Sequence, residues 1–360
     1  WSNLVALTYE PLNFNTDVTT TRTKLHEVIP LTGAILTGTY GGQTVELGNE
    51  NNVKNFSHGQ FQSIYDYPYL SSSANHIIDF TIGYDEGSVL SASTSTQNSK
   101  KINMYNEVSQ LLLGYTGSAN QVEIFESDLN IHDNNNQIKE SYILSFSRLL
   151  TKDQIKKGTF SLTVGTSSWA NPFISTTTLT DASASVDSRG TKNTVGGQYG
   201  VLYASGNQAH GVVFYQAGIV VLSSSLFASV PDFNSGSTAS GSGKSALSVE
   251  DSFKTISISG NCDAMRHRLQ NITFNNTTEI NSTIYFCRLP INKFNYSTNP
   301  TYLSESKIRV KDVATDMPIA YVTTVGLYNA ANELLAVAKL SEPLRKDPTN
   351  ELTLRVRLDY

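Results

Sequence analysis

The chain has 360 residues, of which 16% are charged, and its formal net charge at pH 7 is −5. Because acidic and basic residues are interspersed, no basic stripe indicates a nucleic-acid surface and no polybasic segment indicates an anionic membrane surface. The length exceeds that of a usual single domain, so we expect two regions whose sheets carry polar but uncharged outer faces.

An extended N-terminal arm is predicted at residues 1–30. Its opening residues lack the basic and apolar blocks of a secretion signal, so we expect no signal peptide there. The segment VTTTRT at residues 18–23 is too polar for a strand that is buried in a core.

A β-rich main domain is predicted over residues 31–230. Its clearest strand is residues 76–84 (HIIDFTIGY). Its clearest helix is residues 99–113, where apolar side chains recur at helical spacing and Gly114 follows. A meander with glycine turns is predicted further on, at residues 199–204, 212–215 and 219–222.

One apolar window, residues 211–230, is long enough to be considered as a membrane-spanning segment. It contains β-branched residues, several serines and a central glycine, Gly218. This composition favours two buried strands over a spanning helix. We therefore expect no membrane partner.

A Gly/Ser-rich linker or mobile loop is predicted at residues 231–250, between the two regions. The sequence GSGKS at residues 241–245 resembles the end of a phosphate-binding loop. The first glycine that this motif requires is replaced by Thr238, and no buried strand precedes it. We therefore expect no nucleotide site, and we place a C-terminal β domain at residues 251–360.

The last forty residues predict three strands and a surface suited to docking. Residues 319–328 and 334–340 are β-compatible runs joined by an Asn-rich turn, and a break with two prolines follows at residues 343–350. The third run alternates, with Leu352, Leu354, Val356 and Leu358 on one face and Thr353, Arg355, Arg357 and Asp359 on the other. Such alternation is typical of a sheet with one buried and one wet face.

Three tyrosines, Tyr65, Tyr67 and Tyr69, are the first candidate interface residues. In an extended segment their spacing of two places all three rings on one face, where they could stack on sugars or bases or line a protein interface. The alternative is a tyrosine-rich loop that packs on its own domain.

Two short basic clusters, at residues 266–268 and 345–346, and the outer face of the last predicted strand supply the other candidate interface residues. They are Arg266, Arg345, Lys346, Arg355 and Arg357. The functional interpretation is contact with an acidic partner surface, and the alternative is an ordinary solvated face.

No motif selects catalytic, cofactor-binding or metal-binding residues. The six histidines are scattered without the spacing of a metal site, and no nucleophile-elbow motif is present. The acidic segment that starts at Asp128 lacks the glycine and glutamate of an EF-hand. We therefore expect neither an enzyme nor a bound cofactor, and we expect Cys262 and Cys287 to be free thiols.

A family resemblance comes from the C-terminal stretch. The residues VGLYN at 325–329 and ELLAVA at 333–338 resemble the hairpin of tail-fibre attachment domains in contractile-tailed phages. The segments at residues 75–170 and 260–360, which include KKINMYNEVSQLLLGY and STIYFCRLPINKF, are similar to an uncharacterised class of virion structural proteins from such phages. The resemblance implies a component of the particle.

The sequence thus predicts a mainly β fold of antiparallel, sandwich-like sheets with a few short helices in two regions. The expected function is that of a structural subunit of a virion, in the tail or baseplate, assembled in the host cytoplasm. Its expected partners are other virion proteins in a homo-oligomeric or symmetric assembly, without nucleic acid. The alternatives are a carbohydrate-binding adhesin or glycan-cleaving tail protein, with a cell-surface glycan as partner, and a capsid decoration or head-fibre protein.

Overall fold

The structure is a computed structural model of a mainly β protein with antiparallel sheets, which confirms the predicted fold class. The residues that it describes are 10–32, 51–116, 121–130, 135–185, 190–238, 241–295, 303–304, 307–308, 315 and 317–360. The chain divides into two compact units. The larger is Leu25–Thr278, and the smaller comprises the described parts of Trp1–Lys24 and Glu279–Tyr360.

Twenty strands are described. They are β1 (Val18–Thr32), β2 (Val53–Asn55), β3 (Gln62–Tyr65), β4 (His76–Tyr84), β5 (Glu140–Phe146), β6 (Gln154–Ile155), β7 (Ser161–Gly165), β8 (Thr176–Thr180), β9 (Thr191–Thr194), β10 (Gly197–Tyr203), β11 (Ala209–Phe214), β12 (Ile219–Ser223), β13 (Asn234–Thr238), β14 (Gly241–Leu247), β15 (Leu269–Leu289), β16 (Leu303–Ser304), β17 (Lys307–Ile308), β18 (Ala320–Tyr328), β19 (Leu334–Lys346) and β20 (Leu352–Asp359). The described α-helices are α1 (Asn98–Leu112), α2 (Arg148–Thr151), α3 (Val249–Thr255) and α4 (Ile258–His267). Short 3-10 helices occur at Pro172–Ile174, Ala182–Ser185 and Ser224–Phe227.

The larger unit is built on one sheet with the order β1-β15-β7-β8-β10-β11-β12-β5-β4-β3-β2. Its central strands are buried on both faces, because successive side chains point to opposite sides. Ile143 and Val221 enter one core, while Leu144 and Val220 enter the other. Residues of α1 belong to the first core, and residues of α3 and α4 belong to the second.

Helix α1 lies directly against strand β4 at Gly83. A Cβ atom on Gly83 would lie 2.8 Å from the carbonyl oxygen of Lys101 and 2.9 Å from the Cβ of Tyr105. The Lys101 side chain is fully buried and donates to the carbonyls of Phe253 and Ile256, where α3 ends. These carbonyls have no partner within their own helix, so Lys101 caps α3, and its burial lowers the pKa of the lysine to about 8.

The predicted linker at residues 231–250 lies within the larger unit and does not separate the two units. Phe233 and Val249 are buried in the core, and the Asn234 side chain donates to the Ser252 hydroxyl at 3.1 Å. Between these anchors β13 and β14 pair with each other in antiparallel fashion. The unit boundaries instead fall inside β1 and β15, because each of these strands contributes residues to both units.

The apolar window at residues 211–230 contains β12 and the end of β11, which confirms the expected pair of buried strands. In the described ranges, the helices are too short or too polar to cross a bilayer. Residues 18–30 of the predicted arm belong to β1, which lies beside β15.

Asp181 is a buried carboxylate that joins three segments of the larger unit. It accepts hydrogen bonds from the backbone N–H groups of Gly158 (2.7 Å) and Phe160 (2.9 Å) and from the hydroxyl of Tyr215 (2.9 Å). Burial raises the pKa of Asp181 above its ordinary value of 3.8 and outweighs these hydrogen bonds, which lower it. Ionisation of Asp181 is therefore less favourable in the folded chain than in the unfolded chain.

This shift predicts how stability depends on pH. Above pH 3.8 and up to the raised pKa, the folded chain binds more protons at Asp181 than the unfolded chain. Relative to an Asp181→Asn variant, the wild-type free energy of unfolding should fall as the pH rises through this range, with a slope of at most about 1.4 kcal/mol per pH unit. Urea unfolding of both chains between about pH 3 and 7 measures this. A difference that stays constant over that range would contradict the account.

Candidate docking surface

Strands β18 and β19 form a two-stranded hairpin in the smaller unit. Val325 faces Ala338 across the ladder, and Gly326 faces Val337. Within the described ranges, each strand pairs only with the other. Both strands therefore present backbone N–H and C=O groups at an open edge, which is the geometry that accepts an added strand.

The tip of the hairpin is fixed by the predicted Asn-rich turn. The side-chain oxygen of Asn329 accepts from the backbone N–H groups of Ala331 (2.9 Å) and Glu333 (2.8 Å). Asn332 has a φ of 61°, a left-handed conformation that Asn tolerates better than most residues. These contacts set the register at the tip without any help from a core.

One side of the hairpin carries large apolar side chains that are 52% to 68% exposed. We call them the hairpin patch: Tyr328, Leu334, Leu335 and Val337. A Cβ atom on Gly326 would meet the side chains of Tyr328 and Leu334, so these two side chains lie over the glycine that faces Val337. Contiguous exposed apolar surface of this kind indicates an interaction site.

The opposite side of the hairpin is only half-buried, at residues such as Val325 and Leu327. A two-stranded hairpin is at best marginally stable alone in water. A partner that adds a strand to its edge, or covers the hairpin patch, would therefore stabilise it.

The three strands predicted in the last forty residues do not form one sheet. Strand β20 pairs with β15, whereas β18 and β19 pair with each other. The predicted alternation is confirmed: Val356 is 8% exposed, whereas Arg355 and Arg357 point to solvent. The Arg357 side chain pairs with Asp359 at 2.6 Å and donates to the Ser282 hydroxyl. The two arginines thus lie on an exposed face away from the core side of β20.

Arg345 and Lys346 have opposite environments although they are neighbours. Arg345 is exposed and pairs with Asp347 at 3.1 Å. Lys346 is fully buried and donates to the side-chain oxygen of Asn295 (2.6 Å) and to the carbonyl of Asp347 (2.9 Å). The interpretation of Lys346 as an interface residue is wrong, because its ammonium group holds the base of the hairpin from inside.

Arg266 is also buried, which overturns its assignment to an exposed basic cluster. Its guanidinium lies 2.7 Å from the Asp263 carboxylate and donates to the side-chain oxygen of Gln62 at 2.8 Å. All three side chains are 0% exposed. A buried charge needs such partners, so Arg266 is a structural residue of the larger unit.

The three tyrosines do not share one extended face. Tyr65 ends β3, whereas Tyr67 and Tyr69 lie in the bend that follows. The rings of Tyr65 and Tyr69 are 6.3 Å apart, and Tyr67 is exposed. Tyr65 instead packs against His76, with ring centroids at 5.6 Å, a contact between strands that their separation in sequence hides.

Neither metal-binding nor thiol chemistry finds a site among the described residues. No group of three or more His, Cys, Asp or Glu side chains there could hold a metal ion. Cys262 is buried and Cys287 is half-buried, and both are free thiols. Burial raises the pKa of both thiols, which makes them poor nucleophiles.

Sequence reasoning missed the hairpin patch. The apolar residues of β18 and β19 occur on both faces of the strands, so period-two alternation could not separate a core side from an exposed side. Residues 334–338 are all apolar, whereas apolar and polar residues alternate in β20. This continuous apolar run is the sequence feature that could have indicated the hairpin patch.

Comparison of the chain with models of known protein families finds no match. Searches among curated proteins and among solved structures likewise find none. The function must therefore be argued from the surfaces of this chain.

Proposed function

We propose that the chain is a structural subunit of a tailed-phage virion, in the tail or baseplate, that acts through protein–protein interfaces. The observation that carries the proposal is the hairpin patch on a two-stranded sheet whose strands pair, within the part of the chain that the structure describes, only with each other. The same hairpin, residues 325–338, resembles the hairpin of tail-fibre attachment domains. Its partners would be other virion proteins in a symmetric assembly.

The hairpin suits docking better than the other candidate surfaces. Its exposed side combines apolar area with backbone hydrogen-bonding groups at the strand edges, so a partner can gain both burial and ladder pairing. The exposed face of β20 is charged, and its Arg357 already pairs with Asp359. Rim charges of that type contribute more to association rate than to affinity.

Particle composition provides the direct test of the proposed function. Mass spectrometry and electron cryo-microscopy of purified phage particles that encode this chain should detect it in the tail or baseplate. Density in the capsid would favour the alternative of a decoration or head-fibre protein. Absence of the chain from the particles would contradict both.

The Leu335→Asp/Val337→Asp double variant should fold normally but fail to enter particles. Both side chains are more than half exposed, so the free energy of unfolding should change by no more than about 1 kcal/mol. Two carboxylates in a desolvated apolar interface are costly, so docking should be lost. The matched control is Val195→Asp, at a residue of the larger unit that is also exposed. Complementation of phage that lack the wild-type chain, with particle incorporation as the readout, compares the two.

A variant chain that enters particles as well as the Val195→Asp control would place the docking surface elsewhere. A variant that fails to fold is recognised by urea unfolding before assembly is tested.

A further inference from the structure

The edge of the large sheet carries a second surface, which has a different chemistry from the hairpin patch. On β3, Gln62 and Ile64 are fully buried, so the alternate residues Ser63 and Tyr65 point to the other face, and Phe61 directly precedes the strand. Strand β4 and the loop between β2 and β3 add further groups beside them. We call the set the aromatic face: Phe56, His58, Phe61, Ser63, Tyr65, His76 and Asp79.

The centre of the aromatic face is a hydrogen-bonding group. The Ser63 hydroxyl donates to Oδ1 of Asp79, and Nε2 of His76 lies 2.8 Å from the same oxygen. The side chains of His76 and Asp79 are 33% and 32% exposed. A carboxylate and an imidazole that are held together and reach solvent can accept and donate hydrogen bonds to a bound hydroxyl group.

Aromatic rings lie on both sides of this centre. On one side the ring centroids of Phe56, His58 and Phe61 are 4.8 to 5.1 Å apart. On the other side Tyr65 packs on His76. Along a strand, Phe61 and Tyr65 are separated by about 13 Å, with Ser63 midway. A ring, a polar group and a second ring therefore follow one another from Phe61 to Tyr65.

The backbone around these rings is well anchored. The Lys100 ammonium donates to the His58 carbonyl at 2.7 Å. The Asn52 side chain donates to the Tyr65 carbonyl at 3.2 Å, and the Asp66 carboxylate accepts two hydrogen bonds from Asn75. A binding face that is already ordered loses little conformational entropy when a ligand binds.

The chemistry of the face fits a neutral saccharide. A sugar ring has an apolar C–H surface, which packs on aromatic rings, and a rim of hydroxyl groups, which bond to carboxylate and imidazole groups. A polyanion fits poorly, because Asp79 lies at the centre and the Lys54 ammonium is already placed 4.7 Å from the ring centroid of Phe56.

We propose that the aromatic face binds a short oligosaccharide of neutral sugars, with Phe61 and Tyr65 as stacking platforms and Asp79 and His76 as hydrogen-bonding groups. This site lies in the larger unit, and the argument does not depend on the docking role of the hairpin patch. A chain with such a site could contact a glycan on a cell surface while the hairpin holds it in an assembly.

A printed array of bacterial surface oligosaccharides, followed by calorimetric titration with the oligosaccharide that binds best, tests the proposal. We expect at least one neutral oligosaccharide to bind. Tyr65→Ala and Asp79→Asn should each weaken that binding by about tenfold or more. The matched control is Tyr115→Ala, at an exposed tyrosine outside the aromatic face, which should leave the dissociation constant unchanged.

Two results would overturn this proposal. One is that no oligosaccharide on the array binds. The other is that binding survives both changes on the aromatic face. Urea unfolding of each variant shows that the loss is not a loss of folding, and Asp79→Asn keeps the shape of the side chain. The Leu335→Asp/Val337→Asp variant should keep saccharide binding, which separates this site from the docking surface.

Discussion

Replacing Arg268 with Met should lower the free energy of unfolding by about 3 kcal/mol or more. The buried guanidinium donates to four carbonyl oxygens, those of Gly165 (3.3 Å), Ser167 (2.6 Å), Asp232 (2.6 Å) and Phe233 (3.1 Å). It also lies 5.1 Å from the ring centroid of Phe233. Met can fill the space but cannot donate, so these buried acceptors lose their partner.

Equilibrium unfolding in urea measures this change, and Arg357→Met is the matched control because that arginine is exposed. The control should change the free energy by no more than about 0.5 kcal/mol. An Arg268→Lys variant should also be destabilised, because one ammonium group cannot reproduce the planar set of donors. An Arg268→Met chain that is as stable as the control would show that the four carbonyls do not need this partner.

Replacing Val356 with Asp should cost about 3 kcal/mol or more and detach β20 from the smaller unit. Val356 is 8% exposed and faces Tyr285 across the ladder between β20 and β15. An ionised carboxylate at this position would be buried without a partner. The related change at Leu354 should cost less, because that side chain is only half-buried.

Hydrogen exchange of the β20 amides measures the detachment, and Arg355→Ala and Arg357→Ala are the controls on the opposite face. Both controls should keep the wild-type protection of β20, because their side chains are exposed. Protection of β20 that is as strong in Val356→Asp as in the controls would mean that this face is not part of a core.

Local patterns in the sequence were sufficient for the regular elements. The strand predicted at residues 76–84 is β4, and the helix predicted at residues 99–113 is α1, shifted by one residue. The three runs of the predicted meander are β10, β11 and β12, which pair in that order. In each case the hydrophobic period and the glycine turns lie close together in the chain, so a short window contains the signal.

Local sequence patterns did not predict contacts between residues that are far apart in the chain. Arg266 can be buried because Gln62, far away in the sequence, accepts a hydrogen bond from its guanidinium. β20 pairs with β15 and not with its sequence neighbour β19. Pro343, which predicted a break, lies inside β19. Contacts between distant residues decide both which side chains are buried and which strands pair. Local composition carries no information on these contacts.

The same contrast between local patterns and contacts of distant residues applies to the candidate sites. The docking character of the C-terminal stretch followed from its strands, but the apolar residues that form the hairpin patch were not identified. Tyr65 was identified for its spacing from Tyr67 and Tyr69, whereas its structural neighbour on the aromatic face is His76, across the ladder. A surface is defined by neighbours in space, which sequence spacing gives only within one element.

Hydrogen exchange on the free chain and on purified particles tests the central claim most directly. In the free chain the amides of β18 and β19 should exchange quickly, because these strands pair only with each other among the described residues and one side of the hairpin is exposed. In the particle these same amides should become protected, while those of β4 and β5 in the buried core should be protected in both samples. Equal exchange of β18 and β19 in the free and assembled chains, or particles that do not contain the chain, would contradict the account.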